Sequence, residues 1–213
     1  MRVKTLFLLG VFFGASVLGA NMTLESSTFT PEPGGSVTLF VRGAPSGATF
    51  RWDLDGDGAY ELTTAEPQAT TTVPQGLRLV RVEVVVGKEG VAQFLAALVA
   101  DARLGATRFV SHEDKSYLVT ITVSCKTPII APGFVEDIPP GSTVEVVGEG
   151  GAFWRRAEKL EVVWPLILDP GQTVSFTYRL YPLAGAEIRF GGLVSAYVEG
   201  KRVEIPIAGA IRP

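Results

Sequence analysis

The sequence predicts an all-β protein: two tandem β-sandwich domains that follow a signal peptide. Three observations predict it. Apolar side chains recur at every second position in short runs, the period of a strand with one buried face. Clusters of Gly, Pro, Asp and Ser break the chain between these runs, as in sandwiches built from many short strands. Hydrophobic residues make up 46% of the 213 residues, enough for a sizeable core and too many for a disordered chain.

The first twenty residues stand apart. Arg2 and Lys4 form a short positive segment, Leu6 to Leu18 is apolar apart from small residues, and Gly19-Ala20 offers a small-residue cleavage site. This is the pattern of a secretory signal peptide over 1–20. The alternative is an uncleaved N-terminal anchor, for which the apolar run is marginal. No Cys follows the run, so no lipoprotein anchor is expected, and no later stretch reaches the ~18 apolar residues of a second membrane span. The chain is therefore expected to be exported, to the periplasm, the cell surface or the medium.

Composition narrows the function. The formal net charge is −3, and no run of Lys or Arg occurs, which excludes the basic face of a duplex nucleic-acid binder. Export permits disulfides, but Cys125 is the only cysteine. It continues the apolar face of the Tyr117–Cys125 run, where alternate residues are Thr, Thr and Ser, and reads as an inert core residue.

The elements of the first half follow in order. Met22–Phe29 is a weak strand, and Pro31-Glu32-Pro33-Gly34-Gly35 is a turn. Val37, Leu39 and Val41 mark a clean strand that ends at Ala44-Pro45-Ser46-Gly47. Phe50, Trp52 and Leu54 alternate with Thr49, Arg51 and Asp53. They place Trp52 in a core and predict a hairpin whose acidic tip, Asp55 to Gly58, faces water, with Tyr60 and Leu62 on the return strand. Thr70–Val73 is β-prone, and Val80, Val82, Val84 and Val86 mark the next strand. Gly87-Lys88-Glu89-Gly90 is a hairpin tip. Gln93–Leu98 has good helix propensity, yet a Gly-rich tip after an alternating run predicts a strand over Val91–Ala100.

Two resemblances emerge from these residues. Thr30-Pro31-Glu32-Pro33-Gly34-Gly35-Ser36-Val37-Thr38-Leu39 is similar to the opening of a PKD domain, an immunoglobulin-like module. Phe50-Arg51-Trp52-Asp53-Leu54-Asp55-Gly56-Asp57-Gly58 resembles its signature of Trp-Asp followed by Gly-Asp-Gly. Ala69-Thr70-Thr71-Thr72 stands where that family carries His-x-Tyr, so the resemblance, over about residues 25–100, is to a divergent member. It implies an immunoglobulin-like sandwich over 21–102.

In the second half, Tyr117–Cys125 is a strong strand and Pro128 to Pro132 reads as a loop or edge. Phe134–Ile138 leads through Pro139-Pro140-Gly141 to a new strand. Leu160, Val162 and Trp164 alternate with Lys159, Glu161 and Val163. Val174, Phe176, Tyr178 and Leu180 mark another strand after Asp169-Pro170-Gly171. Leu193–Val198 and Arg202–Ile207 form a closing hairpin. The pair Asp137-Ile138-Pro139-Pro140-Gly141 and Leu168-Asp169-Pro170-Gly171 to Tyr178 resembles a conserved repeat domain of bacterial and archaeal surface proteins, though the first turn is one residue shorter than that family's. The resemblance implies a second immunoglobulin-like sandwich over 103–213, with the boundary at Arg103-Leu104-Gly105.

Three constellations carry chemistry. Asp53, Asp55, Asp57 and Glu61 have the D-x-D-x-D-G spacing of the first half of a calcium loop. Glu61 stands ninth and Thr64 stands where the bidentate Glu would be twelfth. Calcium and an ion-free polar turn are the two readings, and no other cofactor is expected. Ser111-His112-Glu113-Asp114-Lys115 holds the only His and lacks H-E-x-x-H, G-x-S-x-G and a second His, so it reads as a solvated loop. Trp154, Arg155 and Arg156 follow a Gly-rich loop and form a candidate contact platform for sugars or peptides; the alternative makes Trp154, like Trp52 and Trp164 on their apolar faces, a core or half-core anchor. No catalytic residues are assigned. The expected function is a non-enzymatic interaction or structural module at the cell envelope, with an envelope protein or a surface polysaccharide as partner. The alternative is a carbohydrate-binding module stabilised by calcium, and a secreted hydrolase comes last.

Overall fold

The computed structural model describes residues 22–185 and 188–212, so the signal-peptide segment lies outside the described residues. Alternation becomes strand almost everywhere it occurs. The first strands are β1 (Thr23–Ser26), β2 (Gly35–Arg42), β3 (Thr49–Asp53), β4 (Leu62–Thr64), β5 (Gln68–Val73), β6 (Gly76–Val86) and β7 (Glu89–Ala100). Next come β8 (Leu104–Glu113), β9 (Ser116–Cys125), β10 (Ile129–Asp137), β11 (Thr143–Gly148), β12 (Phe153–Arg156) and β13 (Lys159–Val163). The last are β14 (Ile167–Leu168), β15 (Thr173–Tyr181), β16 (Gly191–Val198), β17 (Lys201–Pro206) and β18 (Ala208–Arg212). No helix among the described residues is long and apolar enough to cross a membrane.

The strands make three sheets. A three-stranded sheet has the order β1-β2-β5, and a six-stranded sheet runs β12-β13-β10-β16-β17 with β14 beside β10. A nine-stranded sheet runs β11-β15-β9-β8-β18-β7-β6-β3-β4. Two cores form between them. Val37, Leu39, Phe50, Trp52, Val82 and Leu98 belong to the first, between the small sheet and one half of the large sheet. Ile121, Phe134, Leu160, Trp164, Phe176 and Val194 belong to the second, between the six-stranded sheet and the other half. Trp52 and Trp164 are fully buried, and each indole N–H has a partner: the Thr64 hydroxyl at 3.0 Å and the Gly150 carbonyl at 3.0 Å. That satisfies the requirement of a buried Trp.

The sheet does not stop between the cores. The chain leaves the six-stranded sheet after β17, crosses at the buried Ile207, and enters the nine-stranded sheet as β18. There β18 lies antiparallel to β7, with Gly209 opposite Ala97, and parallel to β8, with Ala208 opposite Thr107. Gly209 has φ +108°, and a Cβ there would fall on the Arg108 carbonyl oxygen, so only glycine fits. Strand β7 is covered on both faces near its end: Ala96, Leu98 and Ala100 face the first core and Val99 the second.

The link after β7 is tied down. The buried Asp101 carboxylate accepts from Arg103 N (2.8 Å), Nε (3.0 Å) and Nη2 (2.7 Å). Burial alone would raise its pKa, but the Arg103 hydrogen bonds and charge, with the Leu104 N–H, bring it below the usual value. The Lys126 ammonium donates to the Asp101 carbonyl at 2.8 Å and pairs with Glu32 at 2.9 Å.

Several expectations are corrected. Beyond Pro128 the segment is neither loop nor edge: residues 129–132 open β10, which pairs with β13, β14 and β16, and a bulge between Ile130 and Gly133 accommodates Pro132. Strand β8 and strand β18 escape the periodicity. In β8 the inward position after Leu104 and Ala106 is a charge, Arg108, while Phe109 points out; β18 is dominated by Ala and Gly. Residues 111–113 are the end of β8 rather than a loop. Asp53 alternates with the apolar residues of its strand yet is 2% exposed, because its carboxylate closes the following loop. The return strand starts at Leu62, not Tyr60, since the Tyr60 ring lies against the Arg51 and Arg81 guanidinium groups, 4.4 and 4.8 Å away.

Candidate functional site

The acidic loop joins β3 to β4. Asp53 Oδ1 accepts the Gly56 N–H at 2.7 Å and Oδ2 the Gly58 N–H at 3.1 Å. Asp55 accepts from Asp57 N, Asp57 from Ala59 N, and Glu61 from Leu54 N. Gly56 has φ +80° and sits against the Leu79 backbone, which a side chain would obstruct. One carboxylate oxygen from each of Asp53, Asp55, Asp57 and Glu61 lies within 4.8 Å of the others, so the four predicted residues converge.

Such a cluster can offer hard oxygen ligands to a cation. The loop also keeps its shape through its own hydrogen bonds, and Arg81 supplies a positive charge 3.3 Å from Asp53. Thr64 is no twelfth ligand: the chain has already returned to β4, and its hydroxyl is held between the Trp52 indole and the Glu66 carbonyl.

The other candidates are dispersed. Trp154 lies on the edge strand β12, 42% exposed. Its Nε1–H donates to Glu149 at 2.8 Å, and its ring meets the core residue Phe176 edge-on, with centroids 6.5 Å apart. It closes the rim of the second core. Arg155 is paired with Glu161 at 2.6 Å, and Arg156 donates to the Ser142 carbonyl at 3.2 Å. All four residues of this strand are exposed, and Phe153, at 69%, is its more exposed ring. His112 is exposed and edge-on to Tyr117 at 5.1 Å; the adjacent Glu113 is engaged by Arg179. Cys125 is buried and donates to the Asp169 carbonyl at 2.8 Å. Burial raises its pKa, which holds it as an unreactive thiol.

The most polar buried group was not foreseen. Arg108 on β8 and Glu136 on β10 form a two-point ion pair across the second core, at 2.8 and 2.6 Å, with side chains 1% and 0% exposed. Tyr178 donates to Glu136 at 3.2 Å, and Arg108 also reaches the Ala210 carbonyl of β18 at 3.4 Å. Burial pushes the Glu136 carboxyl upward, against the charge and hydrogen bonds of Arg108. Burial, with the neighbouring Glu136 charge, holds the Tyr178 hydroxyl well above its usual pKa, so it stays a donor. The signal available in the sequence was two opposite charges at inward positions of different strands: Arg108 after Leu104 and Ala106, and Glu136 between Phe134 and Ile138.

No protein-family model and no curated protein sequence matches the chain, so the PKD-like and repeat-domain resemblances rest on their motifs. Among solved structures, the chain is similar to the full-length major pilin SpaD of Corynebacterium diphtheriae. The identity is 14% and the TM-score 0.40, with 76% of this chain and 59% of the pilin covered. It is also similar to the collagen adhesin of S. aureus, at 11% identity and TM-score 0.29 over 92% of this chain and 95% of that one. A third is the C-terminal domain of the Streptococcus agalactiae AgI/II polypeptide BspA, at 7% identity and TM-score 0.28 over 84% and 95%. This chain thus spans about three fifths of the pilin's length. Likeness at this level is one of layered β-sheets, and the all-β sandwich architecture described above stands on the strands themselves.

Proposed function

We propose that the chain is an exported, non-enzymatic structural and interaction module of the cell envelope, with a signal peptide over 1–20 and two immunoglobulin-like units over 21–102 and 103–213, the first of PKD type. The observation that carries this is the insertion of β18 between β7 and β8, which joins two cores through one nine-stranded sheet. Such a join suits a stiff body that presents surfaces at a fixed spacing rather than one that closes around a substrate. The groups that invite a catalytic reading support the same view. Asp53 closes its own loop, Glu136 is locked to Arg108, and the Cys125 thiol is tied to a carbonyl. The test is a pull-down from envelope extract with the processed chain, beside fractionation of the producing cell. Recovery in the envelope or medium with a stoichiometric envelope protein supports the reading; a cytoplasmic protein refutes it.

A second reading, a carbohydrate-binding module, is favoured by the Phe153 ring beside Trp154 on β12 and by the converging carboxylates of the β3–β4 loop. Binding to purified wall polysaccharide that is lost in Phe153→Ala, with a melting temperature raised by millimolar calcium and lowered by EDTA, would favour it. No binding and no calcium shift would remove it.

A further inference from the structure

The boundary between the two units holds no linker. Strand β7 ends at Ala100 and β8 begins at Leu104, and three ties cross the turn between them. The first is β18. It comes from the second unit through Ile207, whose N–H donates to the Gly192 carbonyl at 3.1 Å, and the Phe190 N–H still reaches the Ile211 carbonyl at 2.9 Å. Yet its run along β7 of the first unit, at Ala97, Ala96 and Leu95, is longer than its run along β8, at Thr107 and Arg108. A strand delivered by the second unit completes the sheet of the first.

The second tie is polar. Asp101 closes the first unit and is buried. Its carboxylate accepts from Gln75 Nε2 of the first unit at 3.2 Å, beside the bonds from Arg103 of the second. Its carbonyl accepts from Lys126 Nζ, which also donates to the Pro31 carbonyl at 3.3 Å. Lys126 is itself fixed to the second unit, with its N–H on the Arg103 carbonyl at 2.8 Å. The third tie is apolar. Phe29 packs against both cores, and its carbonyl accepts the Val99 N–H at 2.9 Å. Beside it, Thr30 lies so close to β8 that a Cβ on Gly105 would stand 3.0 Å from the Thr30 Cβ.

We infer that the two sandwiches are energetically coupled into one cooperative unit, with β18, Lys126 and the Phe29–Glu32 segment as the coupling joint. Tandem domains separated by a flexible linker share few contacts and can open one at a time. Units that share an interface open together when the interface is worth more than the stability of the weaker one. Loss of the second unit here would strip β18 from β7, bare Phe29 and Val99, and leave the Asp101 carboxylate without Arg103. Loss of the first would strip β18 of its longer run of pairs. It would also remove from Lys126 the Pro31 and Asp101 carbonyls and the Glu32 carboxylate. A substitution that damages one unit, or a partner that binds only one, therefore changes the stability of both.

This goes beyond the role proposed above, and units that open independently would end it while leaving that role standing. The experiment is native-state hydrogen exchange of the full chain, read on the slowest amides of β3 and β6 in the first unit and of β9 and β15 in the second. Leu39→Ala damages the first core and Leu180→Ala the second; both side chains are fully buried. Substitutions of this kind speed the exchange of globally protected amides by about thirtyfold or more. The expected result is that each variant speeds exchange in all four strands by the same factor. Acceleration confined to the unit that carries the substitution overturns the inference. If either variant fails to fold, Ile121→Val, at a fully buried position of the second core, makes the same comparison at about two- to tenfold. Lys126→Met/Gly209→Ala loosens the joint, and in that background Leu39→Ala should speed β9 and β15 less than β3 and β6. An undiminished spread there would overturn the role given to the joint.

Discussion

Glu136→Gln tests the energetics of the second core most directly. The carboxylate holds two guanidinium bonds from Arg108, at 2.8 and 2.6 Å, and one hydroxyl bond from Tyr178 at 3.2 Å. Neither charge has access to water. The substitution keeps the shape and removes the countercharge, which leaves a buried guanidinium facing a neutral amide. Breaking such a pair costs about 3–5 kcal/mol, a large part of the total stability of a domain. With a urea dependence near 2 kcal/mol/M, the unfolding midpoint should fall by ~1.5–2.5 M. The measurement is urea unfolding followed by Trp fluorescence and far-UV circular dichroism. The companion variant Arg108→Met/Glu136→Leu/Tyr178→Phe removes all three polar groups together and should return to within ~2 kcal/mol of wild type, since apolar replacement of a whole buried pair is often neutral. The reasoning is refuted if Glu136→Gln stays within ~0.5 M of the wild-type midpoint, or if the triple variant falls as far as the single one.

Other outcomes follow from the same geometry. Gly209→Ala places a Cβ on the Arg108 carbonyl at φ +108°; it should cost at least ~2 kcal/mol and be visible as a lower melting temperature with loss of amide protection in both β7 and β8. Asp53→Asn loses the charge that Arg81 faces and weakens two loop hydrogen bonds, which should lower stability by about 1–2 kcal/mol in thermal or urea unfolding. Asp101, held below its ordinary pKa by Arg103 in spite of burial, contributes stability that is present above its unfolded value of 3.8 and is lost as pH falls through its folded value. Melting curves of wild type and Asp101→Asn should therefore differ most near neutral pH and converge as the pH falls through the lowered folded value of Asp101.

Residues with strong local patterns revealed themselves. Trp52, Trp164 and the valines of β6 needed only a period of two to be placed in a core, and the Asp53–Glu61 spacing marked its own loop. Local pattern failed where a position answers to a distant strand. Asp53 looked outward by parity but is drawn in by the N–H groups of its own loop. Arg108 made β8 unreadable because its inward position is acceptable only with Glu136 opposite, on a strand of another sheet. Trp154 is exposed, as its place after a Gly-rich loop suggests, but its neighbour Phe153 is more so, at 69% against 42%, because the Trp154 ring leans edge-on against Phe176.

The sequence by itself determined that this is an all-β chain, most of its strands, and the convergence of its acidic loop, because alternation and turn chemistry act over a few residues. Only the tertiary structure decided that β18 would close the gap between β7 and β8 and that Arg108 and Glu136 would meet. Each of these depends on which strand lies beside which, and that is set by the sum of packing over the whole chain rather than by any segment of it.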